Sequence, residues 1–351
     1  MNKTLHNYSK IGLLVVALCA VFSCTSDDNL AQLDATIFVR HKDADMPAYI
    51  HGNATDKTFL IILHGGPGGN GLSYRDNAIK TEIEKNCAVV YFDQRGSGMS
   101  QGGYNAEDLT IDIMVDDVLA LVKVIKHKYG SDSKLFLMGH SWGGTLGSAT
   151  LIKDESDFSG WIEVDGAHNP KGLYFEYISN FKNIALEQME AGNSLSFWED
   201  ALDLVANVNP DFYNETDFFK LNIKAHKADD TFRNDNIINK PPETISNNLA
   251  FKYNILTMLW TGDKTQSILR DKGLWETVDY TSNLSEITIP SLVLWGKHDA
   301  VVPPYFAQEA FDNLGSSKKE LVLFEKSGHS PMFNEPDLFA EKVIQFINEN
   351  K

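Results

Sequence analysis

The chain of 351 residues is poor in cysteine, with only three. Cys19 lies in an apolar N-terminal run, Cys24 follows that run directly, and Cys87 stands alone in the apolar stretch 87–92. So few, so placed, give no disulfide framework and no metal-type spacing. Cys87 reads as a buried strand residue rather than a nucleophile. Positive charge is also scarce: 31 Lys and Arg face 48 Asp and Glu, for a net charge of −17. Such a surface repels phosphates, so nucleic acid is excluded as an expected partner. No Lys-Ser/Thr follows the glycine-rich stretch 65–69, as a phosphate-binding loop would need. With 43% hydrophobic residues, 23% charged and no low-complexity tract, the composition is that of a globular protein rather than a disordered one.

The N-terminal apolar run, Ile11–Phe22, would extend only about 18 Å as a helix. A bilayer core needs about 30 Å, so the run fits the hydrophobic region of a signal peptide better than a membrane span. Lys3 and Lys10 precede it; Ser23, Cys24 and the polar stretch 25–29 follow. A small residue before a cysteine at this point resembles a bacterial lipoprotein signal. The resemblance implies cleavage before Cys24, lipidation of Cys24, and a cell-envelope location on the periplasmic or surface side of the outer membrane. A plain secretory signal with a chance cysteine is the alternative. Residues 1–23 are thus expected to be signal and 24–34 a tether.

From residue 35, short apolar runs alternate with helical patterns, which predicts a mainly parallel sheet covered by helices on both faces. Eight strands are expected: Thr36–Arg40, Ala48–Gly52, Phe59–Leu63, Ala88–Phe92, Leu135–Met138, Gly160–Val164, Ser291–Trp295 and Glu320–Phe324. The later runs lack alternation, as strands buried on both faces do. Helices are predicted over Ile111–Lys128 and Glu335–Asn350 from their apolar periodicity. Between Asp165 and Pro290 no buried strand is evident and the pattern is helical and aromatic. A stretch this long is not a plain loop. It predicts a helical cap over 167–289, inserted into a core formed by 35–166 and 290–351 and lying over the carboxyl ends of the strands, where open α/β sheets bind ligands.

Three local patterns carry chemistry. Leu135–Met138 runs into Gly139-His-Ser-Trp-Gly-Gly144, a Gly-x-Ser-x-Gly turn between a strand and a small-residue helix. Glycines must flank such a turn because its backbone is crowded, and Ser141 is the expected nucleophile. Phe59–Leu63 leads into His64-Gly-Gly-Pro-Gly-Gly69, whose backbone can approach a substrate closely. The N–H groups of Gly66 and Trp142 are the expected oxyanion donors. An acid and a base must then follow the serine in the chain. Ser291–Trp295 ends near Asp299, and Leu321–Phe324 is followed by Gly328-His329. His329 is the expected general base and Asp299 its partner, with Asp165 a rival acid. His64 and His140 are expected to brace their turns, and His298 to point away from Asp299.

Together, His64-Gly-Gly-Pro-Gly-Gly69, Asp93-Gln-Arg-Gly-Ser-Gly-Met-Ser100, the Ser141 turn, Gly296-Lys-His-Asp299 and Gly328-His329 resemble the proline iminopeptidases and related aminopeptidases of the α/β-hydrolase superfamily. The likeness covers roughly residues 35–165 and 290–350. It implies the α/β-hydrolase fold, release of an N-terminal residue, often proline, from a small peptide through an acyl-enzyme, a bracing role for Asp93 and Arg95, and a cis Gly66–Pro67 bond, since this position is often cis in relatives. No cofactor and no metal is implied. The turn reads Gly-His-Ser-Trp-Gly-Gly here, where those enzymes often read Gly-Gly-Ser-Trp-Gly-Ser. An esterase or other acyl hydrolase with the same triad is the alternative, and a non-catalytic surface binding protein a third. An aminopeptidase must also pair the buried α-ammonium of its substrate. Glu187, Glu190, Glu199 and Asp200 of the cap are candidates for this. Trp198, Phe197 and Trp260 are candidate pocket aromatics, with core packing the alternative for each.

Overall fold

A computed structural model describes residues 29–75, 78–103, 105–241 and 255–351. The expected signal and Cys24 lie outside these, as does Pro242. Among the described residues, no helix is long and apolar enough to cross a membrane.

All eight expected strands form: β1 (Leu33–His41), β2 (Ala44–Gly52), β3 (Thr58–Leu63), β4 (Ala88–Phe92), β5 (Lys134–His140), β6 (Phe158–Val164), β7 (Ser291–Gly296) and β8 (Lys319–Phe324). They make one sheet in the order β1-β2-β4-β3-β5-β6-β7-β8. β2 runs antiparallel to both β1 and β4, and the remaining pairs are parallel. The first strand starts earlier than its apolar pattern suggests. Leu33 is buried and pairs with Gly52, so the last residues of the expected tether belong to the sheet.

β3, β4 and β7 are buried along their whole length, which is why their sequences do not alternate. β8 departs from that expectation. It is an edge strand, and its residues through Leu323 stay partly or fully exposed. The sheet divides the core in two. Phe59, Ile61 and Leu63 pack with α1 (Ile111–Tyr129) and α2 (Trp142–Lys153) on one face. Leu60 and Ile62 pack on the other with Ile79, Ile83 and a later C-terminal helix, Pro336–Asn350. Thr110 caps α1 by accepting the N–H of Ile113.

Between β6 and β7 the chain builds α3 (Leu173–Glu190), α4 (Leu195–Ala206), α5 (Glu215–Asn234) and α6 (Ile255–Asp271). These helices are tied to the strand ends. Tyr177 of α3 donates to the carbonyl of Val301 at 2.8 Å, and Thr265 of α6 donates to that of Gly96 at 2.6 Å. After β7 come α7 (Tyr305–Asn313) and, after β8, the C-terminal α8 (Pro336–Asn350).

Candidate active site

β5 delivers Ser141 into a turn with φ 56° and ψ −122°, and α2 starts at the next residue. A side chain at this φ is strained, and such strain is characteristic of functional turns. The glycines are sterically required: a Cβ on Gly143 would lie 2.1 Å from the carbonyl oxygen of Leu63, and one on Gly139 2.2 Å from that of Gly143. The turn is pinned from below, where Ser141 N–H donates to Val164 O at 3.1 Å and Ala167 N–H donates to Ser141 O at 2.9 Å.

Ser141 borders a cavity of about 740 Å³ that also contains Gly66, Trp142 and His329. His329, on the loop after β8, binds Asp299 through Nδ1 at 2.8 Å. Asp299, on the loop after β7, is fully buried, and its other oxygen accepts the N–H groups of Val301 (2.7 Å) and Val302 (3.0 Å). The carboxylate therefore holds the ring with Nδ1 protonated and leaves Nε2 free to accept a proton. Burial pushes His329 down to about 4, against the charge of Asp229, so the imidazole is neutral near pH 7. Asp165, at the end of β6, is also fully buried, and its Oδ1 accepts the Gly296 N–H at 2.8 Å. Burial pushes both carboxyls above the usual range; the charge of Asp299 pushes Asp165 further, while the amides of Val302 and Val301 relieve Asp299.

The Gly66–Pro67 bond is cis. Among the described residues, neither the Gly66 nor the Trp142 N–H is taken by a carbonyl, as oxyanion donors require. The motif around Arg95 braces the loops. Gln94 donates Nε2–H to His64 O at 3.0 Å and accepts the indole N–H of Trp142 at 2.9 Å. Asp93 accepts the N–H groups of Gly71 and Met99. Arg95 makes a buried bidentate pair with Asp117 at 2.7 Å. His64 braces its own loop, donating Nδ1–H to Gly65 O at 2.8 Å, and the ring of His298 packs 5.6 Å from Phe232.

His140 does more than brace its turn. Its Nε2 lies 2.7 Å from the carbonyl oxygen of His329, and its Nδ1 2.6 Å from the hydroxyl of Tyr74. Tyr74 carries no motif that marks it in the sequence. One atom each of His140, Asp165 and His329 come within 4.8 Å of one another. Both nitrogens of His140 and Nδ1 of His329 are already committed to these bonds, so the cluster is not a metal ligand set.

The substrate candidates fall elsewhere. Glu187 and Glu190 of α3 and Glu199 and Asp200 of α4 lie outside the lining of the cavity. Trp198 is fully buried, 5.3 Å from Phe232, in the packing of α4 against α5. Phe197 lies beside it, and Trp260 is 75% exposed. The cavity is lined instead by Phe219, Asn222 and His226 of α5, and by Asp263, Gln266, Ser267 and Arg270 of α6. These positions recur at helical spacing, but the spacing does not reveal which face meets the serine.

The alpha/beta hydrolase fold family matches residues 58–336 of this chain. The probable aminopeptidase YbaC of Bacillus subtilis is 26% identical over 297 residues, covering 84% of this chain and 90% of that protein. A proline iminopeptidase of Saccharolobus solfataricus is 27% identical over 300 residues, covering 83% and 84%. Among solved structures, a proline iminopeptidase-related protein from Thermus thermophilus superposes with a TM-score of 0.62 at 22% identity, covering 90% of this chain and 98% of that one. The match extends from β3 into α8 and includes every residue of the candidate site, and the chain belongs to the alpha/beta hydrolase fold family.

Proposed function

We propose that the protein is a serine hydrolase, and specifically an aminopeptidase that releases N-terminal residues, proline among them, from short peptides. The observation that carries this reading is His329, held by Asp299 at 2.8 Å and sharing a cavity with Ser141 in its strained turn. Nε2 of His329 takes the Ser141 hydroxyl proton as Oγ attacks the scissile carbonyl. The Gly66 and Trp142 amides receive the oxyanion. His329 then returns the proton to the leaving amine, and water releases the acyl group by the same steps in reverse order. The aminopeptidase relatives support a peptide substrate. Asp263 is the one carboxylate among the described residues lining the cavity, and it takes the role first sought in Glu187, Glu190, Glu199 and Asp200: pairing the α-ammonium.

The second reading is an esterase, favoured by the histidine form of the serine turn. Turnover of prolyl-, alanyl- and leucyl-arylamides and of p-nitrophenyl esters, by wild type and Ser141→Ala, separates the readings. Amide cleavage that falls by about 10⁴-fold or more in Ser141→Ala is expected. Ester cleavage without amide cleavage would leave only the esterase. No Ser141-dependent turnover of either class would favour the non-catalytic binding protein. We also propose that residues 1–23 are removed and that Cys24 carries the lipid anchor. Cys24→Ala should then move the protein from the membrane fraction to the soluble one, and unchanged partition counts against lipidation.

A further inference from the structure

Asp165 is a buried carboxyl of the site that the reaction does not use. Asp165 and Asp299 leave adjacent parallel strands, β6 and β7, and are both completely shielded from solvent. The two residues meet at Gly296, whose N–H donates to Asp165 Oδ1 at 2.8 Å and whose carbonyl accepts the Asp299 N–H at 3.1 Å. Their oxygens can be accounted for individually. Asp299 Oδ1 accepts two amides and Oδ2 meets His329. Asp165 Oδ1 accepts the amide of Gly296. Asp165 Oδ2 is buried, and among the described residues no N–H or O–H group donates to it. Two adjacent buried carboxyls cannot both hold a charge, and a bond between them needs one hydrogen. The oxygen without a donor is where that hydrogen belongs.

We propose that Asp165 is a positioning residue of this site: its carboxyl stays protonated and donates through Oδ2 to Asp299, so that the pair carries one negative charge and Asp299 remains oriented on His329. This inference rests on the serine hydrolase reading. Its consequence lies in the base. A second charge behind the imidazole would hold His329 protonated at neutral pH, and a neutral donor does not. The backbone fits the role. Asp165 has φ 43°, a conformation that Asn and Gly adopt far more readily than other residues. Asp165→Asn therefore replaces a carboxyl donor with an amide donor, and Asp165→Gly removes the donor without straining the chain.

The titratable groups described around the pair include Tyr74 and His140 on one side, Tyr177 of α3, and His226, Asp229 and His329 toward α5. All are retained in both variants. The experiment measures the second-order rate of labelling by a fluorophosphonate probe from pH 3 to 9, for wild type, Asp165→Asn, Asp165→Gly, Asp299→Asn and Ser141→Ala, each checked by thermal melt. Asp165→Asn should lose no more than about threefold, with the midpoint of the acidic limb unmoved; Asp165→Gly should lose at least about tenfold, and Asp299→Asn far more. An infrared difference spectrum of wild type minus Asp165→Asn at neutral pH should contain a protonated-carboxyl C=O band, which needs neither activity nor the Gly variant. A missing band overturns the proposal, as does an acidic limb that moves down in Asp165→Asn, because Asp165 then carries charge. Loss in Asp165→Asn as deep as in Asp299→Asn makes Asp165 the acid, and wild-type rates in Asp165→Gly leave it no role. Labelling that survives Ser141→Ala, or is absent from wild type, overturns the hydrolase reading itself.

Discussion

At the residue scale, the bonds around Tyr74 admit one arrangement of hydrogens. The His329 carbonyl can only accept, so His140 must donate to it through Nε2–H. Nδ1 of His140 is then an acceptor, and the Tyr74 hydroxyl donates to it. The Tyr74 oxygen in turn accepts the N–H of Gly65 at 2.8 Å. Burial keeps His140 neutral, pushing it down to about 3. One tyrosine and one histidine thereby link the glycine-rich loop after β3, the serine turn and the loop of His329. Tyr74→Phe leaves the Gly65 amide and His140 Nδ1 without partners, a loss on the order of 1–3 kcal/mol. We expect kcat to fall by about 10- to 100-fold with KM nearly constant, because the geometry of the reacting groups changes and the peptide pocket does not. Steady-state kinetics on the best arylamide checks this; a change confined to KM would contradict it. The same residues mark how far the sequence could be read. Ser141, Asp299 and His329 each follow a recognisable apolar strand, so their proximity follows from parallel strands ending together. Tyr74 sits in a short turn of Leu72–Tyr74 without periodicity, and no local pattern marks its partner.

At the element scale, the helices between β6 and β7 were legible as helices but not in their orientation. Acidic and aromatic residues occur in α3 and α4 as well as in α5 and α6, and an amphipathic pattern only separates a buried face from an exposed one. Which helix overhangs the serine is decided by long-range packing. α6 achieves it through a backbone contact: a Cβ on Gly262 would lie 2.5 Å from the carbonyl oxygen of Gly68 in the oxyanion loop. The next residue is Asp263 at the cavity wall. Gly262→Ala must push α6 and the oxyanion loop apart, and overpacking of this kind costs about 1–3 kcal/mol. It should lower both thermal stability and kcat. Asp263→Asn, one residue on, should instead leave stability intact and raise KM about tenfold for substrates with a free amine, while KM for N-acylated esters stays the same. Equal effects on both substrate types would remove Asp263 from ammonium recognition.

At the scale of the whole molecule, the acidic chain holds a buried cation where its layers meet. His168 is fully buried; its Nδ1 meets Glu163 of β6 at 2.8 Å and its Nε2 meets Glu309 of α7 at 3.1 Å. Glu309 also accepts from Asn169 and from Thr281, which lie at the two ends of the stretch that carries α3 to α6. Burial opposes charge on the imidazole, but the two carboxylates outweigh it and push His168 up to about 9. An unfolded histidine titrates near 6.5. The folded state thus binds an extra proton between these values, and the stability this provides is complete below about pH 6.5 and lost as pH rises through 9, at most on the order of 3 kcal/mol. Urea midpoints measured at pH 6, 7.5 and 9 should therefore fall with pH in the wild type. His168→Gln leaves the carboxylates without their cation, so it should be less stable at pH 6 by roughly 3–5 kcal/mol. Its midpoint should also fall less steeply than that of the wild type from pH 6 to 9, the remaining slope coming from the proton held at the buried Asp165–Asp299 pair. A wild-type slope undiminished in His168→Gln would place the pH dependence elsewhere in the molecule. The reduced slope would instead make the Glu163–His168–Glu309 bridge a point where the sheet, α7 and the inserted helices are held together by one proton.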